Sequence, residues 1–210
     1  MILGKSYLDL IIQIPAILLA LTIHECAHAW MAWKKGDDTA MMMGRISLNP
    51  LAHLDLLGTL AMVITGFIGW AKPVPVNGRN FRNLRQDMAM VALAGPLANI
   101  ALAALAFLTL WLALRNMDLV ANLLPSGIYS PLMGFAARSM ATNIAFAVLN
   151  LIPVPPLDGF NVLSMFLSRQ AIAFCQRYQM IFMMALVIFV AAGPFGDIVS
   201  GIIRLVISLF

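Results

Sequence analysis

The amino-acid sequence predicts an all-α polytopic membrane protein, and three observations support this prediction. Hydrophobic residues make up 62% of the chain and charged residues 10%, whereas a soluble domain carries about 25% charged residues. Apolar runs long enough to cross a bilayer recur, and proline-rich or basic segments separate them. Because one spanning helix needs about 20 residues, the 210 residues leave no room for a sizeable soluble domain. We therefore expect one membrane-embedded domain over residues 1–210.

The first spanning helix is predicted over residues 7–33, where the apolar run ends at Lys34. The next apolar stretch, residues 56–71, is only sixteen residues long. At ~1.5 Å per residue it reaches roughly 24 Å, which is short of the ~30 Å hydrocarbon core. It is either a re-entrant element or a thin span. The basic segment that follows contains Pro73 and Pro75, which favour extended backbone.

Two clearer spans are predicted further along the chain. Residues 88–114 carry no charge, although Pro96 is expected to kink this helix. The span over residues 131–151 contains polar side chains that should face the bundle and not lipid, namely Arg138, Thr142 and Asn143.

The last part of the chain is predicted to begin with an irregular segment. Three prolines within residues 150–159 exclude a helix there. We expect residues 160–176 to lie at the membrane interface. Residues 178–192 and 198–210 should form a helical hairpin that turns at residues 193–196.

A possible metal-binding motif lies inside the first span. The chain has a single glutamate, Glu25, and it sits in His24-Glu25-Cys26-Ala27-His28, which uses two of the three histidines. Residues i and i+4 share one face of a helix, so His24 and His28 are placed to bind one zinc ion while Glu25 activates water. The pattern predicts metal-assisted hydrolysis at membrane depth.

A catalytic zinc ion usually has three protein ligands, so the two histidines need a partner. His53 and the acidic residues are the candidates. Asp158 stands out among them because a proline-rich segment presents it at the end of a predicted span. Irregular backbone at membrane depth is tolerated only where it is buried in protein or lines a cavity.

The chain resembles the site-2 protease family of intramembrane zinc metalloproteases, peptidase family M50. Three motifs in family order carry the resemblance: His24-Glu25-x-x-His28, Gly95-Pro96-Leu97-Ala98-Asn99, and Asn150-x-x-Pro153-x-Pro155-x-Leu157-Asp158-Gly159. The resemblance implies a catalytic core of three helices over about residues 7–160, with a re-entrant element between the first two. Residues 160–210 are then additional C-terminal helices. The lengths of the segments suggest a compact branch without an inserted PDZ domain.

The same resemblance implies roles for individual residues. His24, His28 and Asp158 become the ligands of one zinc ion per chain, and Glu25 becomes the general base. Asn150 would orient the substrate backbone or stabilise the oxyanion. His53 and Asn99 are candidates for positions behind the ligands or facing the substrate.

Each assignment has a simpler alternative. Asp158 precedes Gly159, and Asp-Gly is an ordinary turn pair. Asn150 can form a structural hydrogen bond at a helix end. Asn99 fits helix packing better than catalysis, and His53 fits a structural role in a polar loop as well as one near the metal.

We therefore expect a zinc-dependent intramembrane endopeptidase whose partners are transmembrane protein substrates and the lipid bilayer. An extended segment at Pro73-Val74-Pro75-Val76 is a candidate edge for substrate strand addition, or else a rigid linker. The net charge of +4 favours membrane orientation over nucleic-acid binding, and the basic loops place the site nearer the cytosolic face of the cell membrane. The alternatives are a membrane metal transporter or sensor and a proteolytically inactive relative.

Overall fold

The computed structural model describes residues 7–55, 57–58, 71–117 and 125–209. Within these residues the chain is helical, and its β-structure is limited to one isolated bridge. We number the helices in chain order: α1 Tyr7–Lys34, α2 Thr39–Met42, α3 Leu84–Arg115, α4 Ser126–Leu151, α5 Asp158–Ser164, α6 Arg169–Arg177, α7 Gln179–Ala191 and α8 Pro194–Ile207. Two short 3-10 turns, Pro50–Ala52 and Gly78–Asn80, lie between α2 and α3.

Helices α1, α3 and α4 form a bundle in which each of them packs against the other two. All three are long and apolar enough to cross a membrane, and the bent pair of α6 and α7 would make a fourth span if it crosses as one unit. The small helix α5 packs against α3, and α8 packs against α4. The protein is thus an all-helical polytopic membrane protein, as the composition predicts.

The interior of the bundle is built from small side chains. Most of the buried hydrophobic residues on the three long helices are alanines, whereas many leucine, isoleucine and methionine side chains face outward. Small residues allow helix backbones to approach closely where lipid replaces water as the solvent. This distribution is what a lipid-exposed bundle requires, because its outer surface must be apolar.

The loop between α1 and α3 is fastened at one end of the bundle. The carboxylate of Asp37 is fully buried and accepts hydrogen bonds from the Thr39 hydroxyl at 2.6 Å, the Asn77 amide at 2.7 Å and the Asn80 side chain at 2.7 Å. Burial alone would raise the pKa of this carboxyl group, but these hydrogen bonds outweigh it and leave the pKa below its ordinary value. Asp37 therefore ties the end of α1 to the segment that precedes α3.

The prediction for residues 56–71 falls mostly outside the described residues, but both flanks are described. Leu54 and Ala71 form the isolated antiparallel bridge, and the Lys72 amide donates to the His53 carbonyl at 2.9 Å. The two flanks therefore lie side by side at the same end of the bundle.

Several helix boundaries differ from those predicted. Helix α4 begins at Ser126 and contains Pro131, the predicted start of this span. The turn between α7 and α8 is shorter than the predicted residues 193–196. Gly193 adopts a left-handed backbone conformation with φ 104°, and α8 begins at the next residue, Pro194. Residues 160–176 are divided between α5 and α6, and α6 is bent by 65° from α7.

Candidate metal centre

Helix α1 brings the two histidines of the motif onto one face. His24 and His28 are buried, and their Nε2 atoms lie 3.0 Å apart. The helix is continuous to Lys34, ten residues beyond His24, so the site lies about 15 Å along the axis from that end. The pair is therefore submerged in the bundle.

Each histidine ring is held through its other nitrogen. His28 Nδ1 lies 2.7 Å from the Val91 carbonyl oxygen, which can only accept, so Nδ1 carries the proton. His24 Nδ1 lies 2.6 Å from Oδ1 of Asn99. The Asn99 amide nitrogen donates to the Ala20 carbonyl at 3.1 Å, so its oxygen is the atom that faces His24. In a neutral ring both Nε2 atoms then carry lone pairs.

Asp158 completes a triangle with the two histidines. Its Oδ2 atom lies 3.2 Å from His24 Nε2 and 3.2 Å from His28 Nε2. Asp158 is the first residue of α5, directly after the proline-rich segment. A Cβ atom on Gly159 would lie 2.3 Å from the Leu151 carbonyl oxygen. Glycine at this position therefore lets α5 begin directly against the end of α4.

The three atoms fit a zinc ion. Zinc–ligand bonds of 2.0–2.1 Å give tetrahedral edges of about 3.3 Å, close to the 3.0, 3.2 and 3.2 Å observed. Asp158 Oδ2 is buried and has no hydrogen-bond partner. Two histidine lone pairs and one carboxylate oxygen converge without a proton to share, an arrangement that a cation stabilises. Among the described residues, His24, His28 and Asp158 form a group whose ligand atoms lie close enough together to bind one metal ion.

Gly95 on α3 leaves the space that this cluster needs. A Cβ atom there would lie 2.5 Å from His28 Nε2 and 2.6 Å from His24 Cε1. Glycine is therefore required by close approach and not by its backbone angles. In the sequence, Gly95 stands out only as part of the Gly95-Pro96-Leu97-Ala98-Asn99 motif, which assigns it no role.

A cavity of about 280 Å³ opens beside the cluster. The ligand triad, Glu25 and Asn150 all line it. The segment after Lys72 contributes Pro73, Val74 and Val76, and the proline-rich segment contributes Pro156. The cavity is therefore lined by the three predicted zinc ligands, by the predicted general base and by Asn150.

The structure separates the two residues whose roles the sequence left open. Asn99 contacts His24 directly, so it lies behind a candidate ligand. His53 is fully buried, and its Nε2 lies 2.8 Å from the Ser47 carbonyl within its own loop. His53 is neither in the ligand cluster nor among the residues lining the cavity, which favours its structural alternative.

Asn150 has features of both roles proposed for it. Its side-chain nitrogen donates to the Phe146 carbonyl one turn earlier in α4 at 3.0 Å. The same side chain lines the cavity beside the ligand cluster. The helix bond fixes the amide at the edge of the cavity.

Arg45 is a further buried charge, and its sequence pattern gives no sign of this burial. The side chain is 3% exposed, and one of its nitrogens donates to the Lys72 carbonyl. Burial lowers the pKa of this guanidinium, and the carboxylate of Glu25 opposes that effect. Arg45 thus connects the loop after α2 to the segment that lines the cavity.

The fold and the site together define a class of protein, namely helical membrane proteins with a buried cluster of two histidines and one carboxylate. The chain is 39% identical over 148 residues to "Putative zinc metalloprotease YwhC" of Bacillus subtilis. The aligned region covers 70% of this chain and 65% of that protein. It is 32% identical over 164 residues to "Putative zinc metalloprotease Rip2" of Mycolicibacterium smegmatis, covering 76% and 59%. The Rip2 protein of Mycobacterium tuberculosis is 30% identical over 182 residues, covering 84% and 66%.

The chain belongs to the family of these zinc metalloproteases, the site-2 protease family. This result confirms the resemblance drawn from the three motifs. The chain spans about three fifths to two thirds of the length of these relatives. No family model and no solved structure matches it.

Proposed function

We propose that this protein is a zinc-dependent endopeptidase that cleaves peptide bonds in or near the membrane-spanning segments of other proteins. His24, His28 and Asp158 hold one zinc ion per chain. The observation that carries the proposal is the convergence of three ligand atoms within 3.2 Å of one another beside a cavity that Glu25 also lines. The relatives named as zinc metalloproteases support hydrolysis as the reaction.

The zinc ion, when bound, supplies a Lewis acid that lowers the pKa of water to about 7. Glu25 lines the cavity next to the first ligand, where its carboxylate accepts a proton from water and returns it to the leaving amine. Asn150 orients the substrate carbonyl or donates to its developing oxyanion. Val91 and Asn99 hold the imidazole rings in the tautomer that binds metal.

The cavity also indicates the form in which a substrate enters. A helical substrate hides its carbonyl groups in hydrogen bonds, so the scissile region must unwind before it reaches Glu25. The segment containing Pro73, Val74 and Val76 belongs to neither a helix nor a strand and lines the cavity. We propose that it pairs with the unwound substrate by strand addition, with a rigid linker as the simpler alternative.

The distribution of charge supports an orientation in the membrane. Lys35 at the end of α1 contacts Asp87 at the start of α3 at 3.5 Å, and Arg45 and Lys72 lie in the loop at the same end. Arg115 is the basic residue in the last turn of α3, at the opposite end. Because basic residues accumulate on the cytosolic side, we propose that the site lies nearer the cytosolic face of the cell membrane.

A metal transporter is the rival from a different class. It would use the same three ligands, but it would not need a carboxylate beside them that is free to move a proton. A transport path would also be expected to have further intramembrane acidic sites. Glu25 is the feature that favours the enzyme, although an inactive relative would retain the same geometry.

The test uses the purified full chain reconstituted in lipid and a panel of transmembrane peptides. We expect cleavage that a zinc chelator abolishes and that added Zn²⁺ restores. Cleavage that persists at full rate after the metal has been removed would contradict the proposal. Zinc uptake into sealed vesicles in the absence of any cleavage would support the transporter.

A further inference from the structure

A series of buried amide side chains continues behind His24 and connects three helices. Asn99 on α3 accepts from His24, and its amide nitrogen donates to Oδ1 of Asn143 on α4 at 2.8 Å. The amide nitrogen of Asn143 donates in turn to the Ser139 carbonyl at 2.8 Å. Asn99 and Asn143 are both 0% exposed, so neither has water as an alternative partner.

The direction of every bond in this series is fixed by backbone carbonyls. The Ser139 carbonyl can only accept, so the nitrogen of Asn143 faces it and the oxygen of Asn143 faces Asn99. The Ala20 carbonyl imposes the same orientation on Asn99. The oxygen of Asn99 therefore faces His24, and the ring proton of His24 is placed on Nδ1.

We infer that Asn143, which contacts neither zinc ligands nor the cavity, is a positioning residue that sets the metal-binding tautomer of His24 through Asn99. The inference rests on the proposed function, since it assigns these residues to the same zinc site. If the Asn99 amide rotated by half a turn, its nitrogen would face His24 Nδ1. The ring proton would then move to Nε2, the atom that points at the other two ligands.

The buried position makes this orientation sensitive to Asn143. Without its acceptor, one N–H of Asn99 loses its partner in a dry interior, which costs about 1–3 kcal/mol. Rotation of the Asn99 amide then no longer breaks a hydrogen bond to Asn143. Only the hydrogen bond to the Ala20 carbonyl still opposes this rotation. Changes to residues that orient metal ligands typically weaken metal binding about 10 to 100-fold, and we expect the lower end because Asn143 acts through Asn99.

The experiment compares Asn143→Leu with two matched variants. Asn143→Asp keeps an acceptor for Asn99 and, as the neutral acid, a donor for the Ser139 carbonyl. Thr142→Val removes a different hydrogen bond between α4 and α1, from Gln13 to the Thr142 hydroxyl at 3.1 Å, and leaves the amide series intact. Zinc affinity is measured by competition with a chromophoric chelator.

The second measurement reports the tautomer directly in the metal-free protein. The chain has three histidines, so the nitrogen NMR spectrum of histidine-labelled protein contains only three pairs of ring signals. In the wild type, His24 should be protonated at Nδ1. In Asn143→Leu a population protonated at Nε2 should appear.

We expect zinc affinity to fall about 10-fold in Asn143→Leu and to stay near the wild-type value in Asn143→Asp and Thr142→Val. An unchanged His24 tautomer together with an unchanged zinc affinity in Asn143→Leu would overturn the inference, as would equal losses in Thr142→Val. Asn143→Val serves for the same comparison if the leucine variant does not fold. Neither measurement uses a substrate, so a failure to cleave peptides would count against the proposed function alone.

Discussion

Substituting Gly95 with alanine tests whether the space beside the histidines is needed for the metal. The new Cβ atom would lie 2.5 Å from His28 Nε2 and 2.6 Å from His24 Cε1, whereas ordinary contacts are 3.4–4 Å. The rings or the α3 backbone must therefore move by about 1 Å. Zinc sites tolerate deviations of only about 0.2 Å in ligand distance.

The histidine rings cannot yield easily. Each is held at Nδ1 by a hydrogen bond of 2.6 or 2.7 Å, so the displacement would break those bonds or separate α1 from α3. We expect the zinc affinity to fall by more than the ~10 to 100-fold typical of changes behind the ligands. Helical content should stay the same, because alanine favours a helix more than glycine does.

The assay is zinc stoichiometry by elemental analysis together with chelator competition, and Gly134→Ala is the matched control. A Cβ atom on Gly134 in α4 would meet only Ile12 Cδ1 at 3.5 Å, an ordinary contact. The control should bind zinc as the wild type does. If Gly95→Ala bound zinc within about threefold of Gly134→Ala, the proposed location of the metal would be refuted.

Three further predictions concern the third ligand, the loop and the topology. Asp158→Ala should lower zinc occupancy along with activity, and full occupancy after this change would return the third ligand to other candidates such as His53. Asp37→Asn should destabilise the protein by about 1.5–3 kcal/mol at neutral pH, because at least one charge-assisted hydrogen bond is lost. Since the folded-state pKa of Asp37 is lowered, this stabilisation is complete above the unfolded pKa of about 3.9 and is lost as the pH falls through the folded pKa. The difference in thermal stability should shrink on acidification, and a constant difference would contradict the assignment. In a background without Cys26 and Cys175, single cysteines at Lys35 and Arg82 should react with an impermeant thiol reagent from one face and a cysteine at Ser126 from the other, whereas labelling of positions 35 and 82 from opposite faces would establish a span between them.

Local patterns account for the parts of the site that the sequence predicted. The spacing of His24 and His28 gives a shared helix face from the period of the α-helix alone. Asp158 was selected because prolines precede it, and the structure brings it within 3.2 Å of both histidines. The long apolar runs predicted α1 and α3 to within four residues at each end.

The remaining features depend on contacts between distant parts of the chain. The sequence places Asn99 and Asn143 44 residues apart, and nothing local indicates that their amides meet. The space at Gly95 exists only because α3 crosses α1 at that point. The sequence predicts that the span of α4 starts at Pro131, yet the helix already begins at Ser126.

The central claim is tested most directly by the cleavage rate of Glu25→Gln at a zinc content equal to that of the wild type. Glutamine keeps the shape of the side chain and cannot accept a proton from water. Zinc should remain bound because Glu25 is not among the three ligand residues, while peptide cleavage should be abolished. Wild-type cleavage by the fully zinc-loaded Glu25→Gln protein would contradict the account.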